Sequence, residues 1–130
     1  MEKRTINPWT WQDKMGYVQA VEVKQTEGTL YCAGQAAVHA DGTSSSAAMK
    51  IQMKLALQNL EEVISKAGYE TKNIVRLNML TTSTDELLAT CFEDFTQWVQ
   101  KNNVKAAVTA FEVSKLFETL NIEFEATVVK

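Results

Sequence analysis

The chain has 130 residues, 45% of them hydrophobic and 22% charged, with a formal charge of −3. That length and mixture fit one domain over residues 1–130. No run approaches the roughly 18 apolar residues of a membrane span, and an acidic balance argues against a broad nucleic-acid surface without excluding a local basic one.

Met1-Glu2-Lys3-Arg4-Thr5-Ile6 carries no apolar stretch of the signal-peptide kind, so the cytoplasm is the expected compartment. Residues 1–15 read as irregular. They hold Trp9 and Trp11, which should pack on the body or on a neighbouring copy, because exposed indole is costly. Residues 17–24 alternate and contain valines, a strand pattern. After a turn at Gly28, residues 29–37 read as the returning strand of a hairpin. Asp41-Gly42 marks a second turn, and the single histidine beside it, His39, reads as a surface residue.

Thr43, Ser44, Ser45 and Ser46 offer N-caps for a helix over about 46–67. Ile51, Leu55, Leu60, Val63, Ile64 and Ala67 fall near helical spacing, Met49, Met53 and Leu57 widen the apolar arc, and Gly68 suits a left-handed C-cap. Residues 73–81 predict a third strand. Ser83, Thr84 or Asp85 would cap a second helix over about 85–101, with an apolar stripe of Leu88, Cys91 or Phe92, Phe95, and Trp98 or Val99. Strands over about 105–113 and 120–129 complete a ββαβαββ order, an α+β fold with a mixed sheet and two helices on one face.

One histidine and two scattered cysteines give no metal-ligand pattern and no triad built around a second histidine. Cys32 reads as sheet packing. Cys91 reads as a packing thiol or, if it lines a cleft, a reactive one; Glu93 and Asp94 follow it closely and no basic neighbour is visible to activate it.

Two helices cover one sheet face, yet both faces look apolar. Ile122, Phe124, Ala126 and Val128 form one clear row of the last strand, opposite Glu123, Glu125, Thr127 and Val129. In the preceding strand small and apolar residues populate both rows: Ala107, Thr109, Phe111, Val113 on one and Ala106, Val108, Ala110, ahead of Glu112, on the other. A second covering is expected, most simply further copies of the chain. If residues 114–119 join the last two strands as a hairpin, Val108 lies opposite Glu123 on the face away from the helices. A carboxylate would then sit among small apolar residues at a junction between copies, where a buried acid is a site candidate.

Several segments resemble the Rid (YjgF-type) family. Gly16-Tyr17-Val18-Gln19-Ala20-Val21 is similar to its early Pro-Tyr-x-Gln-Ala-Val strand, and Thr29-Leu30-Tyr31-Cys32-Ala33-Gly34-Gln35 to its strand ending Ser-Gly-Gln. Phe111-Glu112-Val113-Ser114-Lys115-Leu116 and Asn121-Ile122-Glu123-Phe124-Glu125-Ala126 resemble its C-terminal signature. The resemblance implies a chorismate-mutase-like fold and a homotrimer, with a central barrel, helices outside, and small-molecule clefts between subunits. It also implies hydrolysis of reactive enamines and imines without a cofactor. The family's carboxylate-gripping Arg falls at Val108, its Ser before Gly-Gln at Ala33, and its helix Asn at Cys91. Tyr17, Gly34, Gln35, Thr109 and Glu123 match.

Two functions compete on this basis. As an enzyme, Glu123 would position water and shuttle a proton, Tyr17 would close the cleft, and backbone N–H groups near Gly34 or Thr109 would bind a neutral or cationic ligand, with Gln35, Cys91 and Val108 completing the lining. As a binding module, the trimer would hold a small metabolite unchanged. The family's ribonuclease and chaperone-like activities find no basic stripe or stacking platform here, so nucleic acid and membrane are not expected partners.

Overall fold

The computed structural model describes all 130 residues. Its strands are β1 (Glu2–Ile6), β2 (Ala20–Lys24), β3 (Thr29–Ala36), β4 (Ile74–Thr81), β5 (Ala107–Glu112) and β6 (Ile122–Val129). Helix α1 spans Met49–Lys66, followed by a 3-10 turn at Thr71–Asn73. Helix α2 (84–101) is built from a short α turn at Thr84–Glu86, a π turn at Leu87–Cys91 and an α stretch at Phe92–Lys101. No helix is long and apolar enough to cross a membrane.

The main sheet has the order β3-β6-β4-β5, and β6 runs antiparallel to both of its neighbours. β4 and β5 are parallel, as a strand–helix–strand crossover through α2 requires. The expected mixed sheet with two helices is therefore present, but two pairings differ. β2 pairs with β1 rather than β3, so the first two predicted strands form no hairpin. β5 and β6 are not neighbours, because β4 lies between them.

The core sits between the sheet and the helices. β6 contributes Ile122, Phe124, Ala126 and Val128, the row expected from alternation. α1 contributes Met49, Met53, Ala56, Leu57, Leu60 and Ile64, so the methionine side of the helix faces inward while Ile51 is 60% exposed. α2 contributes Leu87, Cys91, Phe95 and Val99, a row of strict four-residue steps. Such a row drifts about 40° per step around a regular α-helix. The π turn, with its wider i→i+5 winding, absorbs part of that drift and leaves Leu88 outside at 62% exposure.

Helix α1 starts later than the Thr/Ser run implies: its N-cap is Ala48, without a side-chain hydrogen bond. Its other end follows the expected design. Gly68 has φ +78°, its N–H donates to the Ser65 carbonyl, and the Tyr69 N–H donates to Ile64. A Cβ on Gly68 would meet nothing within 4 Å, so Gly68→Ala should cost only the left-handed conformational penalty. The expected loss in urea unfolding is about 1 kcal/mol; no loss would mean that the turn rearranges freely.

Candidate functional site

On the sheet face away from the helices, register builds three cross-strand rows. Thr127, Arg76 and Ala107 form the first, Glu125, Asn78 and Thr109 the second, and Glu123, Leu80 and Phe111 the third. Tyr31 extends the first row from β3 and is 79% exposed. Arg76 Nη2 donates to Thr109 Oγ1 at 2.9 Å, and Asn78 Nδ2 donates to Glu125 Oε1 at 2.9 Å. The centre of this face is thus polar and internally paired, with aromatic and aliphatic groups at its margins, and it is more polar than the expected mixture of small and apolar residues.

Glu123 is the exception. It is half-buried, yet its carboxylate forms no hydrogen bond or ion pair within the chain. β3 explains its position. A β-bulge between Cys32 and Gln35 puts Ala33 and Gly34 where one residue would otherwise stand. Gly34 has no positive φ, so its requirement is one of space: a Cβ there would overlap the Glu123 carboxylate and approach its Cγ to 2.9 Å. Gly34 and Glu123 are therefore brought together as one local unit. Gln35, the next residue, turns its Nε2 back to the Ala33 carbonyl at 3.2 Å, which closes the bulge.

The other candidates lie elsewhere. Val108 pairs with fully buried Leu77 and packs against the main core, on the helix side of the sheet, not beside Glu123. The two rows of β5 therefore face the opposite way from the sequence expectation, because its neighbour is β4 rather than β6. Ala106 is fully buried on the same side, and Glu112 accepts from the Thr84 N–H at 2.8 Å at the start of α2. Thr109 does face away from the helices, held by Arg76. Tyr17 precedes the Val18–Ala107 bridge and lines a separate hollow of about 280 Å³ with Gln12, Lys14 and Thr96. Ala107 lies four residues along β5 from Phe111, the residue level with Glu123. Tyr17 is thus about 13 Å away along the strands and three strand spacings across, since its segment flanks β5 and β4 separates β5 from β6.

Cys91 has no exposed surface, and Thr90 Oγ1 lies 3.3 Å from its sulfur. Burial pushes its thiol above the usual range, Glu86 and Asp94 add to this, and Thr90 and Lys50 oppose it. Burial likewise raises Cys32. Both are free thiols, and within one chain neither Cys91 nor Val108 reaches Glu123. Trp9 and Trp11 stack on each other at 6.1 Å and remain 55% and 62% exposed, so the arm does not bury them on its own body. His39 is exposed beside a turn in which Asp41 Oδ1 accepts from the Thr43 N–H and hydroxyl, as the turn signal predicts.

Residues 12–130 match the family described as Endoribonuclease L-PSP. Over 73 residues the chain is 36% identical to the mitochondrial protein mmf2 of Schizosaccharomyces pombe, spanning 56% of this chain and only about half, 55%, of that protein. A RutC family protein of Pasteurella multocida is 28% identical over 116 residues, covering 88% of this chain and 87% of that one. Among solved structures, the Rid family protein YyfB of Yersinia pestis, of unknown function, superposes with a TM-score of 0.81 at 29% identity over the whole of both chains. TdcF of E. coli, solved with bound serine, shares the fold with a TM-score of 0.72 at 23% identity, covering 88% of this chain and 87% of that one. With that match over nearly its whole length, and with the mixed sheet and paired helices of its structural neighbours, this chain belongs to the endoribonuclease L-PSP family, also known as the YjgF or Rid family.

Proposed function

We propose that this protein is a cytoplasmic homotrimer whose clefts, each formed by two copies, hydrolyse small imine or enamine compounds, with Glu123 as the group that positions water and moves its proton. The observation that carries this reading is the half-buried, unpartnered Glu123 carboxylate seated over Gly34 on the helix-free face. A carboxylate in that state is free to accept a proton from water and return it to a leaving amine. Tyr17 is too far away to serve the same Glu123, so the cleft takes Tyr17 from one copy and Glu123 from the next. Tyr31 and Phe111, 79% and 41% exposed, give the contact between copies an apolar margin. Val108 presents no cation, so the ligand is neutral or cationic.

A second reading is supported by that same Val108. With the family's Arg position turned into the core, the cleft holds a metabolite without converting it. The two readings separate in one assay. Imines of a small amino acid and of its amide are mixed with the protein, and carbonyl release is followed. Catalysis predicts acceleration over buffer, greater for the amide; binding alone predicts thermal stabilisation by a ligand recovered unchanged. The shared cleft has its own test. Tyr17→Phe and Glu123→Gln variants, each defective, are unfolded together and refolded as a mixture. Random assembly should restore about a quarter of the clefts. No recovery in the mixture, or a 14.6 kDa monomer by light scattering, contradicts the arrangement.

A further inference from the structure

Away from Glu123, at the opposite end of the sheet, three segments distant in sequence bring polar groups around a hollow of about 410 Å³, to which β2 adds Val21. β1 supplies Lys3 and Thr5, the turn before β4 supplies Lys72 and Asn73, and the segment entering β5 supplies Asn103 and Lys105. No carboxylate lines it, although the chain as a whole carries a charge of −3. Lys3 is fixed rather than waving in solvent: its Nζ donates to Asn73 Oδ1 at 2.8 Å and to the Lys72 carbonyl at 3.2 Å, leaving one ammonium proton free. Lys72 is balanced from outside the hollow by Glu70, at 2.9 Å. Lys105 has no acidic partner within salt-bridge distance.

We infer that this hollow binds the phosphate group of a small phosphate monoester, at a site separate from the Glu123 cleft. Three ammonium groups give the charge needed to neutralise a dianion, and the amides of Asn73 and Asn103 and the Thr5 hydroxyl add neutral hydrogen-bonding groups. The volume lies within the range of small-molecule sites, so a phosphate with a compact organic group fits better than a bare ion. Lys3 reports the charge imbalance: burial first, then Lys72 and Lys105, holds its ammonium below the ordinary lysine range. An anion among the three would remove that mutual repulsion. Asn73 and Leu80 lie seven residues apart on the same chain run, which separates the hollow from the Glu123 row by roughly 20 Å. One compact hollow, rather than a stripe of cations with stacking aromatics, disfavours a nucleic-acid backbone as the occupant.

The test is calorimetric titration of the full chain with phenyl phosphate and with inorganic phosphate at low ionic strength. Lys105→Gln, Lys3→Gln and, as a control for net charge alone, Lys66→Gln are compared with the unaltered protein. The expected result is saturable binding of phenyl phosphate, tighter than that of inorganic phosphate. Lys105→Gln and Lys3→Gln should each weaken it about tenfold, and Lys66→Gln should leave it unchanged. Lys105 is exposed and takes part in neither the hydrogen bonds of this hollow nor any ion pair, so its variant should melt at the same temperature without ligand and carry the conclusion if Lys3→Gln is destabilised. Absence of saturation with either probe, or equal weakening by Lys66→Gln, overturns the inference. So does a single-stranded oligonucleotide that binds more tightly and is not displaced by phenyl phosphate.

Discussion

Alanine in place of Gln52 is expected to lower the unfolding free energy by about 2–4 kcal/mol, among the largest effects of any polar substitution in this chain. Gln52 is 1% exposed, on the first turn of α1. Its Nε2 donates to the Ala47 and Thr119 carbonyls at 3.0 and 3.1 Å, and its Oε1 accepts from the Asn121 N–H at 3.0 Å. One side chain thereby satisfies backbone groups on both the approach to α1 and the approach to β6. Truncation leaves those groups without partners in a space that the shorter side chain does not fill, and an unmet buried donor or acceptor costs about 1–3 kcal/mol. Urea unfolding should show a lower midpoint with an unchanged slope, since the surface exposed on unfolding is the same. Gln52→Glu, which keeps the shape but loses the donors, should not rescue the loss. A loss under about 1 kcal/mol would mean that water replaces the amide at little cost.

The largest functional effect is expected at Glu123. On the proposed mechanism, Glu123→Gln should lower imine hydrolysis by a factor on the order of 10²–10⁴, the usual worth of a positioned acid–base group. Gly34→Ala should act in the same direction by another route, because the new methyl group takes the space of the Glu123 side chain. The atoms it meets are the end of a flexible side chain without a hydrogen-bond partner, which can swing aside, so folding should change little while activity falls. The double variant Gly34→Ala/Glu123→Ala should then be no worse than Glu123→Ala alone, since the alanine at 34 would have nothing left to displace. If Gly34→Ala retains full activity, the seat over Gly34 is irrelevant to chemistry. If Glu123→Ala retains it, the proposed role of the carboxylate fails.

Much of this architecture could be read in advance where one signal dominated. The alternation of Ile122, Phe124, Ala126 and Val128 against Glu123, Glu125 and Thr127 identifies both faces of β6 from its own residues. Gly68 marks the end of α1 because a left-handed residue is needed there and glycine adopts that conformation at least cost. β5 defeats the same logic. Its two rows, led by Ala106 and Ala107, are nearly equal in character, so orientation depends on the neighbour, and the neighbour is β4. Arg76 and Asn78, alternating with Leu77 and Met79, carry the missing signal: β4 has a polar face, and β5 must match it. β1 escapes notice because Glu2, Lys3, Arg4 and Thr5 give it no apolar row at all. The sequence allows candidate residues to be named one by one, but it does not give their grouping. Gly34 finds Glu123 only through a bulge, and Tyr17 lies at the other end of β5, distances that no spacing in the sequence encodes.

The position of β6 between β3 and β4 has a consequence for how the chain reaches its native state. β6 is synthesised after both of the strands it joins, so a nascent chain on the ribosome holds β3 and β4 with their facing edges bare until residues 122–129 emerge. Every pairing that completes the sheet centre is long in sequence, which slows folding and lengthens the exposure of sticky edges to other chains. Shielding by a chaperone during translation should therefore matter more for this protein than for one whose central strand is made first.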